Sequence, residues 1–149
     1  MKRLLIFLLF LPLTSMAQVN IWVSSIPDTL KIGQVYNISM KLGKSSNFSS
    51  LMMSLEKSKE LSFLEISSRY AKTYDYKNVR NVLWTGYDKE IPQVIKVKFK
   101  VNDVKSYSNL LEFKIIFSYL INGLKGEQLI VYRYVLRRQN NFLVYVLEE

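Results

Sequence analysis

The chain has 149 residues, 49% of them hydrophobic, with five glycines, three prolines and neither cysteine nor histidine. This describes a folded chain with one proper core, not a linker or a disordered tail. The missing imidazoles and thiols exclude Ser-His-Asp and Cys-His nucleophiles, His or Cys metal sites, disulfides and thiol redox chemistry. The formal net charge of +9 suits an acidic polysaccharide, anionic headgroups or an acidic partner, and equally plain solubility.

Lys2 and Arg3 precede an apolar run from Leu4 to Leu13, broken at Pro12 and followed by Ser15-Met16-Ala17. A charged start, a run about half the length of a spanning helix and a small-x-Ala site predict a signal peptide over 1–17, cleaved before Gln18. The expected domain is then 18–149, and the net charge falls from +9 to +7 because cleavage removes Lys2 and Arg3 while all twelve acids remain. Its place is extracytoplasmic, periplasmic or secreted, which disfavours nucleic acid as a partner. Past the signal no apolar stretch has the length of a transmembrane helix.

Asn20–Ser25 alternates and predicts a first strand, broken by Ile26-Pro27-Asp28. In Val35–Leu42, Tyr36, Ile38, Met40 and Leu42 alternate with Val35, Asn37, Ser39 and Lys41, the pattern of a half-buried strand. Gly43–Asn47 reads as a turn. Phe48–Glu56 is ambiguous, since Leu51 and Leu55 fit a helix face, but its serines favour strand. Lys57–Glu60 reads as a turn and Leu61–Ser67 as a short strand.

Arg69–Asn81 predicts a long loop with a short strand in it, and Val79–Trp84 a strand ended by Thr85-Gly86. Pro92 opens the clearest strand, in which Ile95, Val97, Phe99 and Val101 alternate with Lys96, Lys98 and Lys100. Leu110–Ile121 is nearly all apolar and predicts a central strand buried on both faces. Asn122-Gly123 signals a turn, and Gly126 is read as extending the loop. Leu129–Leu136 and Phe142–Leu147 form an expected terminal hairpin, with Arg137–Asn141 as its turn. About nine strands with regular turn signals predict an all-β, single antiparallel β-sandwich.

Acid–base chemistry is left to carboxylates. Asp88 and Glu90 share a loop and Asp75 lies among tyrosines, but no spacing demands a glycosidase pair. Asp75, Asp88, Glu90 and Asp103 lack the regular spacing of a calcium loop. Glycines placed singly make no phosphate loop. No enzyme, cofactor or metal is expected. Asn37-Ile38-Ser39 and Asn47-Phe48-Ser49 match the glycosylation pattern, read here as chance in a composition of bacterial character.

Binding is the remaining chemistry. Tyr70, Tyr74, Tyr76 and Tyr87 are the candidate contact residues, because aromatics in loops stack on sugars or anchor interfaces. Trp84 joins them by position but fits a core role better at the end of a strand. Lys96, Lys98 and Lys100 form a candidate basic face; the alternative is a solvated sheet face, for instance an edge strand guarded by charge. Arg133, Arg137 and Arg138 add to it if the terminal hairpin lies on the same side.

Pro27–Gln34 with the following strand, Val82-Leu83-Trp84 with Pro92 and Val94–Val101, and Phe113–Tyr119 together resemble a cohesin-like β-sandwich. That group is related to immunoglobulin-like and carbohydrate-module sandwiches. The resemblance spans about residues 20–135 and implies a non-catalytic recognition or assembly module of the bacterial cell envelope with a protein partner. The alternative is a carbohydrate-binding module that uses the loop aromatics, with polysaccharide as ligand.

Overall fold

A computed structural model describes residues 21–42, 48–67, 71–85, 94–121 and 123–148. The expected signal segment lies outside them, as do Gly43–Asn47, Tyr70, Gly86, Tyr87, Asp88, Glu90, Pro92 and Asn122. Eleven strands are present: β1 (Ile21–Ser25), β2 (Thr29–Lys31), β3 (Val35–Leu42), β4 (Phe48–Glu56), β5 (Leu61–Ser67), β6 (Lys72–Tyr76), β7 (Val79–Thr85), β8 (Val94–Val101), β9 (Leu110–Ile121), β10 (Leu124–Gln139) and β11 (Phe142–Leu147).

They form two antiparallel sheets, a four-stranded one ordered β1-β3-β8-β5 and a seven-stranded one ordered β2-β11-β10-β9-β4-β7-β6. The protein is an all-β sandwich, as its alternation predicts.

The core lies between the sheets. Strict alternation in β8 buries Ile95, Val97, Phe99 and Val101 and exposes the lysines between them. Opposite them stand Leu51, Met53, Leu55, Val82, Trp84, Phe113 and Phe117 from the larger sheet, all essentially buried. Phe113 lies 5.1 Å from Phe99 and 5.6 Å, edge-on, from Phe63, bridging the two sheets. Such a side chain contributes about 1.5–3 kcal/mol by leaving water.

Tyr134 and Tyr145 are also core. Their hydroxyls donate to the backbone oxygens of Pro27 and Ser108, each at 2.9 Å, and tie two connections to the sandwich. Buried Glu60 accepts from the Ser108 backbone N–H at 3.1 Å and its hydroxyl at 2.7 Å. Burial pushes this carboxyl up, but the Ser108 hydrogen bonds outweigh it and hold it below its ordinary value.

Several expectations are corrected. Among the described residues there are eleven strands against about nine expected: β2 is new, and β6 is the short strand expected within 69–81, the two forming the ends of the larger sheet. After Pro27 the chain crosses to that sheet, where Thr29–Lys31 pairs with β11 and Leu30 is fully buried. The described part of the expected loop 69–81 is a hairpin, β6 against β7, turning at Lys77-Asn78 with Lys77 at φ 51°. It lacks a buried face to betray it, since all five residues of β6 are exposed.

β9 is buried on one face only. Its other face, with Glu112, Lys114, Ile116, Ser118 and Leu120, is half-buried, and among the described residues no third layer covers it. β10 starts at Leu124, so Gly126 is a strand residue. It pairs with Tyr119, whose ring lies over it where a Cβ would collide. The last turn is Asn140-Asn141 alone, with φ 46° and 66°, the left-handed pair of a tight two-residue hairpin, and 137–139 belong to β10.

Candidate binding surface

The outer faces of the two sheets carry the sequence's candidate residues, and they differ. On the seven-stranded sheet the registers place Tyr74, Asn81, Ser54, Ile116 and Leu129 in one row across β6, β7, β4, β9 and β10. The next row holds Lys72, Leu83, Met52, Ser118 and Glu127. Met52, Leu83 and Ile116 are half-buried, while Leu129 is 58% exposed. Val79 and Val131 extend this apolar band on β7 and β10. Within it the Ser54 hydroxyl donates to Asn81 Oδ1 at 2.7 Å, so the band's two buried polar side chains satisfy each other.

Tyr74 and Tyr76 project from β6 on this face, 47% and 63% exposed, with the Tyr74 hydroxyl 3.6 Å from Met52 Sδ. Lys77 sits over the Tyr76 ring at 5.4 Å. β6 ends the sheet, so among the described residues its outer edge has no strand partner. Beneath β6, Asp75 binds Lys57 at 2.5 Å and Arg80 at 3.0 Å, and Arg80 also donates to the Phe63 backbone oxygen of the other sheet. The hydrogen bonds from Arg80 and Lys57 hold the Asp75 carboxyl down to about 2. The network closes the seam between the sheets and anchors the strand that carries the tyrosines.

One border of the apolar band is a chain of charges. Lys114 reaches Glu56 at 3.4 Å and Glu112 at 2.9 Å, and Glu112 reaches Arg133 at 3.2 Å. Its two cations hold Glu112 below the usual carboxylate range, and the two glutamates raise Lys114.

The four-stranded sheet shows the reverse. Its outer face carries Lys96, Lys98 and Lys100 on β8, with Ser39, Asn37 and Val35 beside them on β3. Lys41 on β3 pairs with Val94 and, on its other side, with Trp22 of β1. Trp22 is 49% exposed. Glu65 stands across from Lys98, yet among the described residues no carboxylate makes an ion pair with any of these four lysines.

Of the aromatic candidates, Tyr74 and Tyr76 come together on one strand face, and Tyr70 and Tyr87 lie outside the described residues. Trp84 is fully buried, in keeping with its strand-end position. The edge-strand reading of the lysine row is overturned, because β8 lies between β3 and β5. Arg133 and Arg137 alternate with buried Tyr134 on the outer face of the other sheet, so the hairpin arginines do not extend the lysine row. The apolar outer band escaped sequence reasoning because Ile116 and Leu120 look like core residues. The Tyr-x-Tyr spacing with no apolar partner was the available signal for β6.

No protein-family model and no curated protein matches this chain. Among solved structures, the chain is similar to domains D2 and D3 of the major pilin SpaD from Corynebacterium diphtheriae, at 12% identity and TM-score 0.55, over 85% of this chain and 58% of that one. It is similar to the D312A form of BcpA, the major pilin subunit of Bacillus cereus, at 9% identity and TM-score 0.54, over 89% of this chain and 53% of that one. Full-length SpaD matches at 14% identity and TM-score 0.54, over 80% of this chain and 34% of that one. The chain thus spans about a third to three fifths of the length of these structures. At such identities the likeness is one of fold, a β-sandwich of the kind found in bacterial pilins.

Proposed function

We propose that this protein is a non-catalytic, extracytoplasmic β-sandwich of the bacterial cell envelope that binds a protein partner in an assembly or adhesion role. The partner docks on the outer face of the seven-stranded sheet around Tyr74 and Tyr76. The observation that carries this reading is the exposed apolar band from β10 to the edge of β6, which has no strand partner among the described residues. Exposed apolar surface of this kind, rimmed by charge, marks protein contact sites, and a free strand edge offers backbone groups to an added strand. Fold likeness to pilin subunits and a sequence without His or Cys support it. The finer likeness to cohesin-like modules rests on the sequence blocks alone, and export with cleavage before Gln18 rests on the N-terminal pattern.

The carbohydrate-module reading has one observation in its favour, two tyrosines in line on one strand face. A pull-down of tagged mature protein from envelope extract, run beside a glycan array, separates the two. Tyr74→Ala with Tyr76→Ala, and separately Leu129→Lys, should each weaken capture of the same protein while leaving the unfolding midpoint nearly unchanged. Capture that survives both variants would refute this docking face. Glycan signal lost in the tyrosine variant, without any face-dependent protein capture, would favour the carbohydrate module.

A further inference from the structure

We infer that the outer face of the four-stranded sheet is a binding surface for an extended acidic polysaccharide. The inference does not depend on the partner of the opposite sheet. Lys96, Lys98 and Lys100 point the same way from β8, so their stems are spaced by about 6.8 Å along a straight line. Lys41 adds a fourth charge on the adjacent strand. Lysines in a line do not converge on one point, so the geometry suits a chain with repeated negative charges rather than a single small anion.

The absence of internal counterions sharpens the point. On the opposite sheet Lys114 and Arg133 are engaged by Glu56 and Glu112. Here, among the described residues, the four ammonium groups are left to solvent. Nor do they guard an edge, because β8 is an interior strand. Such a field attracts polyanions and is screened by salt.

The neutral groups on the face decide the class of polyanion. Asn37 and Ser39 pair with Lys98 and Lys96 and offer hydrogen-bonding side chains to hydroxyls between charges. Trp22, half-exposed beside Lys41, offers an aromatic surface to the C–H face of a sugar ring. The other exposed apolar residues, Val35, Val94 and Leu64, are set apart by lysines or by Glu65 and form no wedge for a bilayer.

Polygalacturonate, neutral dextran and phosphatidylglycerol vesicles are the probes, titrated against the mature protein. Polygalacturonate should bind at about 0.01 M salt and weaken steeply by about 0.15 M, as the screening length falls from about 30 Å to about 8 Å. Lys96→Thr with Lys98→Thr and Lys100→Thr should lower affinity at least about tenfold. The corresponding triple arginine variant should stay within about twofold, because the charge is kept. Removing three cations from the larger sheet, with Lys125→Gln, Arg137→Gln and Arg138→Gln, should also leave affinity within about twofold.

Trp22 gives a readout that needs no variant. It is the exposed one of two tryptophans, Trp84 being buried, so bound polygalacturonate should protect its fluorescence from acrylamide. The inference is overturned by equal losses in the two charge-removal variants, by vesicle binding without polygalacturonate binding, or by no binding at the lower salt.

Discussion

The two outer faces are built by the same period-two alternation over the same kind of core, yet they solve opposite problems. On the larger sheet Glu56, Lys114, Glu112 and Arg133 neutralise one another beside a band of half-buried Met52 and Ile116 and exposed Leu129 and Tyr74. On the outer face of the smaller sheet Lys41, Lys96, Lys98 and Lys100 outnumber Glu65 and make no ion pair among the described residues, and the apolar residues are isolated. A sandwich asks only one face of each sheet to be apolar. The other face is free, and here it takes two forms, a largely apolar surface and a charged one.

The largest effect should separate the two sides of a single strand. Phe99 and Lys98 are neighbours in β8, one in the core against Phe113 and the other on the lysine face. Phe99→Ala should cost about 3–5 kcal/mol as a core deletion. Lys98→Ala should stay within about ±0.5 kcal/mol, since an exposed unpaired cation holds nothing in place. Denaturant midpoints of the two variants compare them directly. Similar shifts would mean that the lysine side of β8 is part of the fold's support and not a free surface.

A middle-sized effect is expected inside the apolar band. Asn81→Ala leaves the Ser54 hydroxyl without its partner in a buried position and should cost about 1–3 kcal/mol. Ser54→Ala combined with Asn81→Ala should cost less than the two single changes added, because both polar groups are then gone. Additive costs in the double-mutant cycle would show that water, not the band's own packing, satisfies the pair.

The longer strands with a core face were legible in the sequence, whereas three-residue β2, which buries only Leu30, was not. Val35–Leu42 and Val94–Val101 alternate, and burying every second residue is what alternation means physically. Strand order was not legible, since the neighbours of β8 come from residues 35–41 and 61–67, and no local signal says that both flank it. β6 has no buried residue, so hydrophobic periodicity is silent there. Gly126 looked like a loop residue because its packing partner, Tyr119, lies across the hairpin. The candidate site shared this fate. Tyr is intermediate in burial, so exposure of Tyr74 and Tyr76 follows from their place at the sheet's end and not from their identity.

The smallest effect lies at the seam between the two faces. Asp75 is partly exposed, and its pairs with Lys57 and Arg80 are open to screening. Asp75→Asn should therefore cost only about 0.2–1 kcal/mol near neutral pH. The pH dependence fixes the cause. The folded carboxyl is lowered to about 2 from an ordinary 3.8, so its contribution is complete above the ordinary value and is lost as the pH falls toward 2. Wild-type and variant midpoints should converge across that window and also draw together in high salt. Lys98→Ala, with no carboxylate bound to it, should show no such convergence. A gap between wild type and Asp75→Asn that persists at pH 2 would mean that Asp75 holds β6 by shape rather than by charge. The edge that presents the tyrosines would then be insensitive to the ions around it.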